Sequence, residues 1–318
     1  MRTYKTISCS VTGYRKKREN IPCEDATAVL RASRGTIVAV ADGHGDKRCL
    51  FASVGARLAV RAACNVLKLY LSKVAGNASI YWNSLRQEIA IDIAKAFADS
   101  AVEDFKARCS ERITTEEVSE LKRHIREYFK DSDDALTTTE LREKYINNKK
   151  WNDKLGNILF LYGTTVRASV LTDCYIFSCA LGDGDSVAVI NDRIEWLLPK
   201  SEAFECETAS LCEPFEFVID SFLFSFVECK KESPQGKGRV NDTGMFVPTV
   251  LLATDGLRNS FFSDSLFEKK MLEISRAAHL NSREAKASRL RLLYEKLSRE
   301  SAYQDDISTV IAVRAENE

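Results

Sequence analysis

The sequence carries no net charge: 46 Lys and Arg balance 46 Asp and Glu. No global field therefore steers it toward nucleic acid or a membrane surface, and an anionic partner must be recognised locally. Long apolar runs are also missing. The N-terminal MRTYKTISCSVTGYRKKREN has no apolar core of signal-peptide length, and the greasiest stretch, FEFVIDSFLFSFVE, is short and broken by Glu216 and Asp220. A cytoplasmic protein that binds neither membrane nor nucleic acid is expected. The ten cysteines include no CxxC pair and mostly sit in apolar runs such as DCYIFSCAL, which reads as buried free thiols in a reducing compartment and excludes a zinc site. No internal repeat or low-complexity linker divides the chain, so one elaborated domain over 1–318 is expected.

What is present is an ordinary globular composition, 45% hydrophobic and 29% charged, long enough to bury a large core. EDATAVLRA and TIVAVADG, separated by Ser33, Arg34 and Gly35, predict a hairpin. Phe51, Val54, Leu58, Ala62, Val66 and Leu69 recur at steps of three and four and predict an amphipathic helix over 48–73. Leu85, Ile89, Ile93, Phe97 and Phe105 predict a second over about 84–109. Residues 110–156 are dense in charge of both signs and read as a solvated helical insertion. Strand patterns resume with TTVRASVL, YIFSCALG and SVAVI, the last forming a hairpin with RIEWLL through Asn191-Asp192. A variable loop region spans about 200–248. TVLLATDG, two helices at about 264–279 and 282–300, and a final strand, ISTVIAV, complete the chain.

The acids have a pattern. TIVAVADG ends at Asp42, YIFSCALGDGD at Asp183 and Asp185, and TVLLATDG at Asp255, whereas EDATAVL and DDISTVIAV begin with Glu24, Asp25, Asp305 and Asp306. In an antiparallel pair the start of one strand lies beside the end of its neighbour. The first hairpin therefore brings Glu24 and Asp25 to Asp42, and pairing of the last strand with TVLLATDG brings Asp305 to Asp255. Carboxylates so gathered need compensating positive charge. With no histidine or cysteine set beside them, all-oxygen ligation selects Mg or Mn. Two ions roughly 4 Å apart, bridged by one carboxylate, are the common arrangement for hydrolysis at phosphorus; Asp42 is the natural bridge, and Gly43 lets its backbone carbonyl approach a metal. A single DG after a strand is usually only a turn; several in this order are not.

CEDA at 23–26, VAVADGHGD at 38–46, GTT at 163–165, LGDGDS at 181–186, LATDGL at 252–257 and DDISTVIAV at 305–313 together resemble, in order, the motifs of the protein phosphatase 2C family, in its bacterial type. The resemblance implies an α+β fold, a four-layer α-β-β-α sandwich with two stacked, mainly antiparallel sheets. It implies a metal-dependent phosphatase acting on phosphoserine and phosphothreonine through a metal-bridging hydroxide, with no phosphoenzyme, and two Mn or Mg ions with a possible third. In that likeness Asp42 bridges, Gly43 offers its carbonyl, Asp255 and Asp305 complete the first ion's ligands, and Glu24 and Asp25 serve the second, directly or through water. Asp183 matches the holder of the third ion and Asp306 supports from behind, while Asp185 reads as a turn residue. His44 matches the proton donor to the leaving oxygen. The family's phosphate-gripping arginine falls by spacing on Asn20, which leaves Arg18 first and Arg15 second as substitutes, or a merely solvated basic run. The implied partners are a phosphorylated protein substrate and a serine/threonine kinase acting on the same targets. A non-catalytic regulatory relative and a phosphatase of small phosphorylated molecules are the alternatives.

Overall fold

Ile37, Val38, Ala39, Val40 and Ala41 are five consecutive buried residues, a pattern that requires cover on both faces of their strand. The computed structural model, which describes residues 4–46, 49–108, 158–190, 192–200, 208–229, 249–280 and 283–314, supplies it by stacking two sheets. One runs in the order β1 (Tyr4–Val11), β10 (Ile307–Arg314), β9 (Thr249–Ala253), β6 (Asp185–Ile190), β7 (Arg193–Trp196). The other runs β2 (Ala26–Ala32), β3 (Gly35–Ala41), β4 (Val166–Leu171), β5 (Tyr175–Leu181), β8 (Leu223–Glu228). Every pairing is antiparallel.

The period of two sorts the side chains into layers. Val38 and Val40 of β3 meet Val250 and Leu252 of β9 and Val310 and Ala312 of β10 between the sheets. Ile37, Ala39 and Ala41 turn outward to α2 (Ala52–Lys73) and α4 (Arg86–Arg108). Leu251 and Ile311 turn outward to α6 (Asp264–Leu280) and α7 (Arg283–Glu300), where Phe267, Met271 and Tyr294 are fully buried. The α+β fold is thus a sandwich of helices, two sheets and helices.

The expected hairpin forms as β2–β3, with Ala26 opposite Ala41, and β9 pairs with β10 as expected, Ala253 opposite Thr309. Other details differ. A short helix that the pattern did not show, α3 (Ala78–Ser84), precedes α4, which forms as expected over about 84–109. On α2 the bulky stripe is not the deepest face: Leu69 is half exposed, while Gly55, Ala56, Ala59 and Ala63 are buried, because a helix of small residues lies closer to its neighbours. FEFVIDSFLFSFVE is a short helix, α5 (Phe215–Asp220), followed by β8. Asp185 is the first residue of β6 and fully buried, so it is a strand residue and not a turn residue. The 110–156 insertion and most of the 200–248 region lie outside the described residues. Among the described residues, no helix is long and apolar enough to cross a membrane.

Candidate active site

Strand register decides where the acids go. Asp25 precedes β2 and Asp42 follows β3, so the pair Ala26↔Ala41 sets them at one end of the second sheet. In the first sheet, Ala253 lies between Thr309 of β10 and Asp185 of β6, which places Asp255, Asp305 and Asp306 at one end. A hydrogen bond ties these ends together: Thr254 Oγ1 donates to Asp25 Oδ2 over 2.8 Å, while the Ser308 amide donates to the same hydroxyl. One sheet thus contributes Asp25 and Asp42, the other Asp255, Asp305 and Asp306.

The local backbone fixes Asp42. Its carbonyl accepts from the Thr165 amide and from Thr164 Oγ1, and its amide donates to Thr165 Oγ1, so the GTT segment clamps the strand end. Gly43 is required for packing: a Cβ there would stand 2.5 Å from the Glu24 carbonyl oxygen and 2.7 Å from that of Ala52. Gly182 and Gly184 hold positive φ values of 85° and 101°, which shape the LGDGD corner carrying Asp183. Asp183 accepts from Thr208 Oγ1 at 2.8 Å.

Electrostatically the acids crowd. Burial first, and then the carboxylates of Asp306, Asp305 and Asp255, raise Asp25 well above the usual range; burial and the charges of Asp25 and Asp255 do the same to Asp42. Asp255 is pushed by burial to about 6, although Asn259 donates to its Oδ2. Asp42 and Asp255 are close enough to hydrogen-bond if one of them keeps its proton. Asp25 Oδ1 and Asp255 Oδ1 are buried and meet no hydrogen-bond donor among the described residues. Among the described residues, no three His, Cys, Asp or Glu side chains form a ready-made metal-ligating group. The donor set nonetheless fits a hard cation: clustered carboxylates with orphaned inward oxygens are what such an ion satisfies.

The acids behind this cluster are treated differently. Lys16 sends its Nζ 2.7 Å from Glu24 Oε2, 2.7 Å from Asp306 Oδ2 and 3.9 Å from Asp305 Oδ1. Asp306 also accepts from the amides of Gly13 and Glu24, so it organises the segment before β2. Asp185 lies 3.6 Å from Arg258 and beside the buried Arg167; burial lifts it to about 6 against both cations.

His44 is half-buried, its amide bound to the Gly163 carbonyl. Burial lowers its pKa, while Asp183 and Asp46 pull it upward. Arg18 is exposed on α1 (Tyr14–Arg18), whereas the charge of Arg15 reaches Asp305 and lowers it. Asn20 is an exposed turn residue with φ of 57°, a left-handed conformation that asparagine tolerates. Lys16, Thr254 and Asn259 are site residues that the sequence reading missed. In a run of four basic residues nothing marks which one turns inward; that is set by Gly13, whose missing Cβ leaves room for the backbone of residues 304–306.

Comparison with known proteins bears on the fold and the family. The sequence model of the family described as protein phosphatase 2C matches residues 12–293. No curated protein matches the chain significantly in sequence. Among solved structures, the chain is similar to serine/threonine phosphatase Stp1 from Staphylococcus aureus, at 12% identity and TM-score 0.54, covering 99% of this chain and 96% of that one. It is also similar to PppA from Pseudomonas aeruginosa, at 14% identity and TM-score 0.51, with 98% of each chain covered. The catalytic domain of serine threonine protein phosphatase PstP, solved in complex with two manganese ions, matches at 13% identity and TM-score 0.51, over 99% of this chain and 100% of that one. The similarity to these structures is one of fold; with the family match over most of the chain, it establishes that this protein belongs to the protein phosphatase 2C family of metal-dependent serine/threonine phosphatases.

Proposed function

We propose that the phosphatase reaction takes place over Asp25, Asp42, Asp255 and Asp305, which hold divalent Mn or Mg. The observation that carries this reading is two buried oxygens without a donor among the described residues, Asp25 Oδ1 and Asp255 Oδ1, among carboxylates raised by burial and by one another. Bound there, the ion supplies a Lewis acid that activates water and offsets the charge of the phosphoryl group. The chain's own part is to fix the ligands: Thr164 and Thr165 hold Asp42, Thr254 holds Asp25, and Asn259 orients Asp255. The Gly43 carbonyl is a further candidate ligand.

His44 is the proton donor to the leaving serine or threonine oxygen in this reading. Its lowered pKa makes the imidazolium a stronger acid, and Asp183 and Asp46 favour the protonated form. Asp183, held by Thr208, is the candidate for a weaker additional ion. Both arginines are exposed, and Arg15, whose charge acts on Asp305, is the better-placed phosphate grip. The substrate is a phosphoprotein, made by a serine/threonine kinase acting on the same targets, and the reaction belongs to the cytoplasm. One domain carries the whole site.

Hydrolysis of a phosphothreonine peptide should require added Mn or Mg and stop with a chelator. Undiminished turnover in excess chelator would overturn the metal site. One observation favours the non-catalytic rival: an ammonium stands at Glu24, where a second ion is expected. A chain that binds Mn yet hydrolyses neither phosphopeptides nor small phosphate esters would select that rival.

A further inference from the structure

Lys16 is the only buried residue of α1, at 5% exposure, although its neighbours Arg15, Lys17 and Arg18 are exposed. A buried lysine needs partners, and this one has them in fixed positions. Asp306 is anchored by two backbone amides, and α1 is pinned where Ser298 Oγ accepts from the Tyr14 amide. Past Asp42 the chain closes over the pair, so that a Cβ on Gly45 would lie 3.6 Å from Glu24 Oε2 and 4.0 Å from Lys16 Cε. The ammonium is therefore part of the folded site and not a solvent-borne counterion.

Its position conflicts with a second divalent ion. Such an ion binds a carboxylate oxygen at about 2.1 Å, and Glu24 Oε2 already receives an ammonium at 2.7 Å. With its single negative charge already offset by the ammonium, the partly buried Glu24 has little attraction left for a divalent ion. Asp25 Oδ1 and Asp255 Oδ1, by contrast, have no hydrogen-bond partner, ammonium or other, among the described residues.

We infer that Lys16 is a built-in cation that takes the place of the second divalent ion. One ion binds among Asp25, Asp42, Asp255 and Asp305, while Glu24 stays paired with Lys16 in the loaded protein. This rests on the metal-dependent site proposed above. The role of Lys16 is electrostatic positioning, since it acts on the site through Glu24 and Asp306.

Counting ions tests it without reference to turnover. Mn bound to the full chain is measured by equilibrium dialysis, as the excess over an Asp42→Asn, Asp255→Asn double variant, and its coupling is read by electron paramagnetic resonance. The wild type should bind one ion with an uncoupled signal, Lys16→Met should gain a second, exchange-coupled ion, and Lys16→Arg should keep one. Two coupled ions in the wild type, or no gain in a folded Lys16→Met protein, would overturn the inference. If Lys16→Met does not fold, the wild-type count decides alone. Two ions with normal turnover leave the phosphatase site standing; no bound ion and no turnover remove both readings.

Discussion

Glu24 and Asp42 lie at the same end of the sandwich and meet opposite surroundings. Glu24 is closed on Lys16, with Asp306 on the ammonium's other side. Asp42 faces Asp25 and Asp255, which only raise its proton affinity. One half of the acid cluster thus carries its own positive charge and the other half must obtain it from solution. Acidic residues brought together by a fold are not equivalent ligands: what decides is which of them the chain has already neutralised.

Substitution should separate the halves most sharply. A metal ion contributes several kcal/mol of transition-state stabilisation, so Asp42→Asn or Asp255→Asn should lower kcat/KM by on the order of a thousandfold or more. Glu24→Gln should keep Mn affinity and lose less than about tenfold in rate. Equal loss of bound Mn in all three, measured by dialysis, would erase the distinction.

The next effect concerns His44. A serine alkoxide needs a proton to leave, while p-nitrophenolate does not, and general acid catalysis is worth on the order of a hundredfold or more. His44→Ala should slow a phosphoserine peptide by about that factor and p-nitrophenyl phosphate much less. Equal losses on the two substrates would assign His44 to holding the site in place.

Stability should follow the unneutralised half. Burial and neighbouring carboxylates raise Asp25, Asp42, Asp255 and Asp305, with Asp255 reaching about 6. These groups bind protons in the folded state that the unfolded chain has released. Their contribution is full below the unfolded carboxyl range, near pH 4, and is lost as the pH rises through about 6. The metal-free protein should therefore melt a few degrees higher at pH 5 than at pH 7, and saturating Mn should flatten or reverse that slope. A metal-free Tm that climbs from pH 5 to pH 7 would contradict the crowding. The smallest effect should be on substrate affinity: Arg15→Ala should raise the KM for phosphopeptides several-fold and Arg18→Ala should leave it near the wild-type value, as steady-state kinetics would read.

Much of this was legible in the sequence because the strands around the site are apolar on both faces and stop abruptly at DG. The hairpin carrying Asp25 and Asp42, and the pairing that brings β9 to β10, follow from that pattern. β1 was not legible, because its wet positions, Lys5, Ser8 and Ser10, interrupt the run and it lies at an edge. The Ala- and Gly-rich face of α2 was hidden by the bulkier residues beside it. Asp185 carries the same DG context as its neighbours, and only the register of β6 shows it to be buried between two arginines. Lys16 depended on a contact between residues 290 apart, Lys16 and Asp306, which no local pattern encodes.

The pairing of β1 with β10, from Tyr4 opposite Arg314 to Val11 opposite Ile307, bears on how the protein is made. β1 must wait for β10, the last of the described strands, and Lys16 and Asp25 wait for Asp306 and Thr254 in the same way. Non-local pairing of this kind is slow, since a long loop must close before any contact rewards it. Before the segment carrying Asp305 and Asp306 has been made, the β2–β3 hairpin can form, but the cluster lacks those two acids. The acid cluster is therefore complete only once residues 305 and 306 are available, and a chain cut short of residue 305 should remain inert.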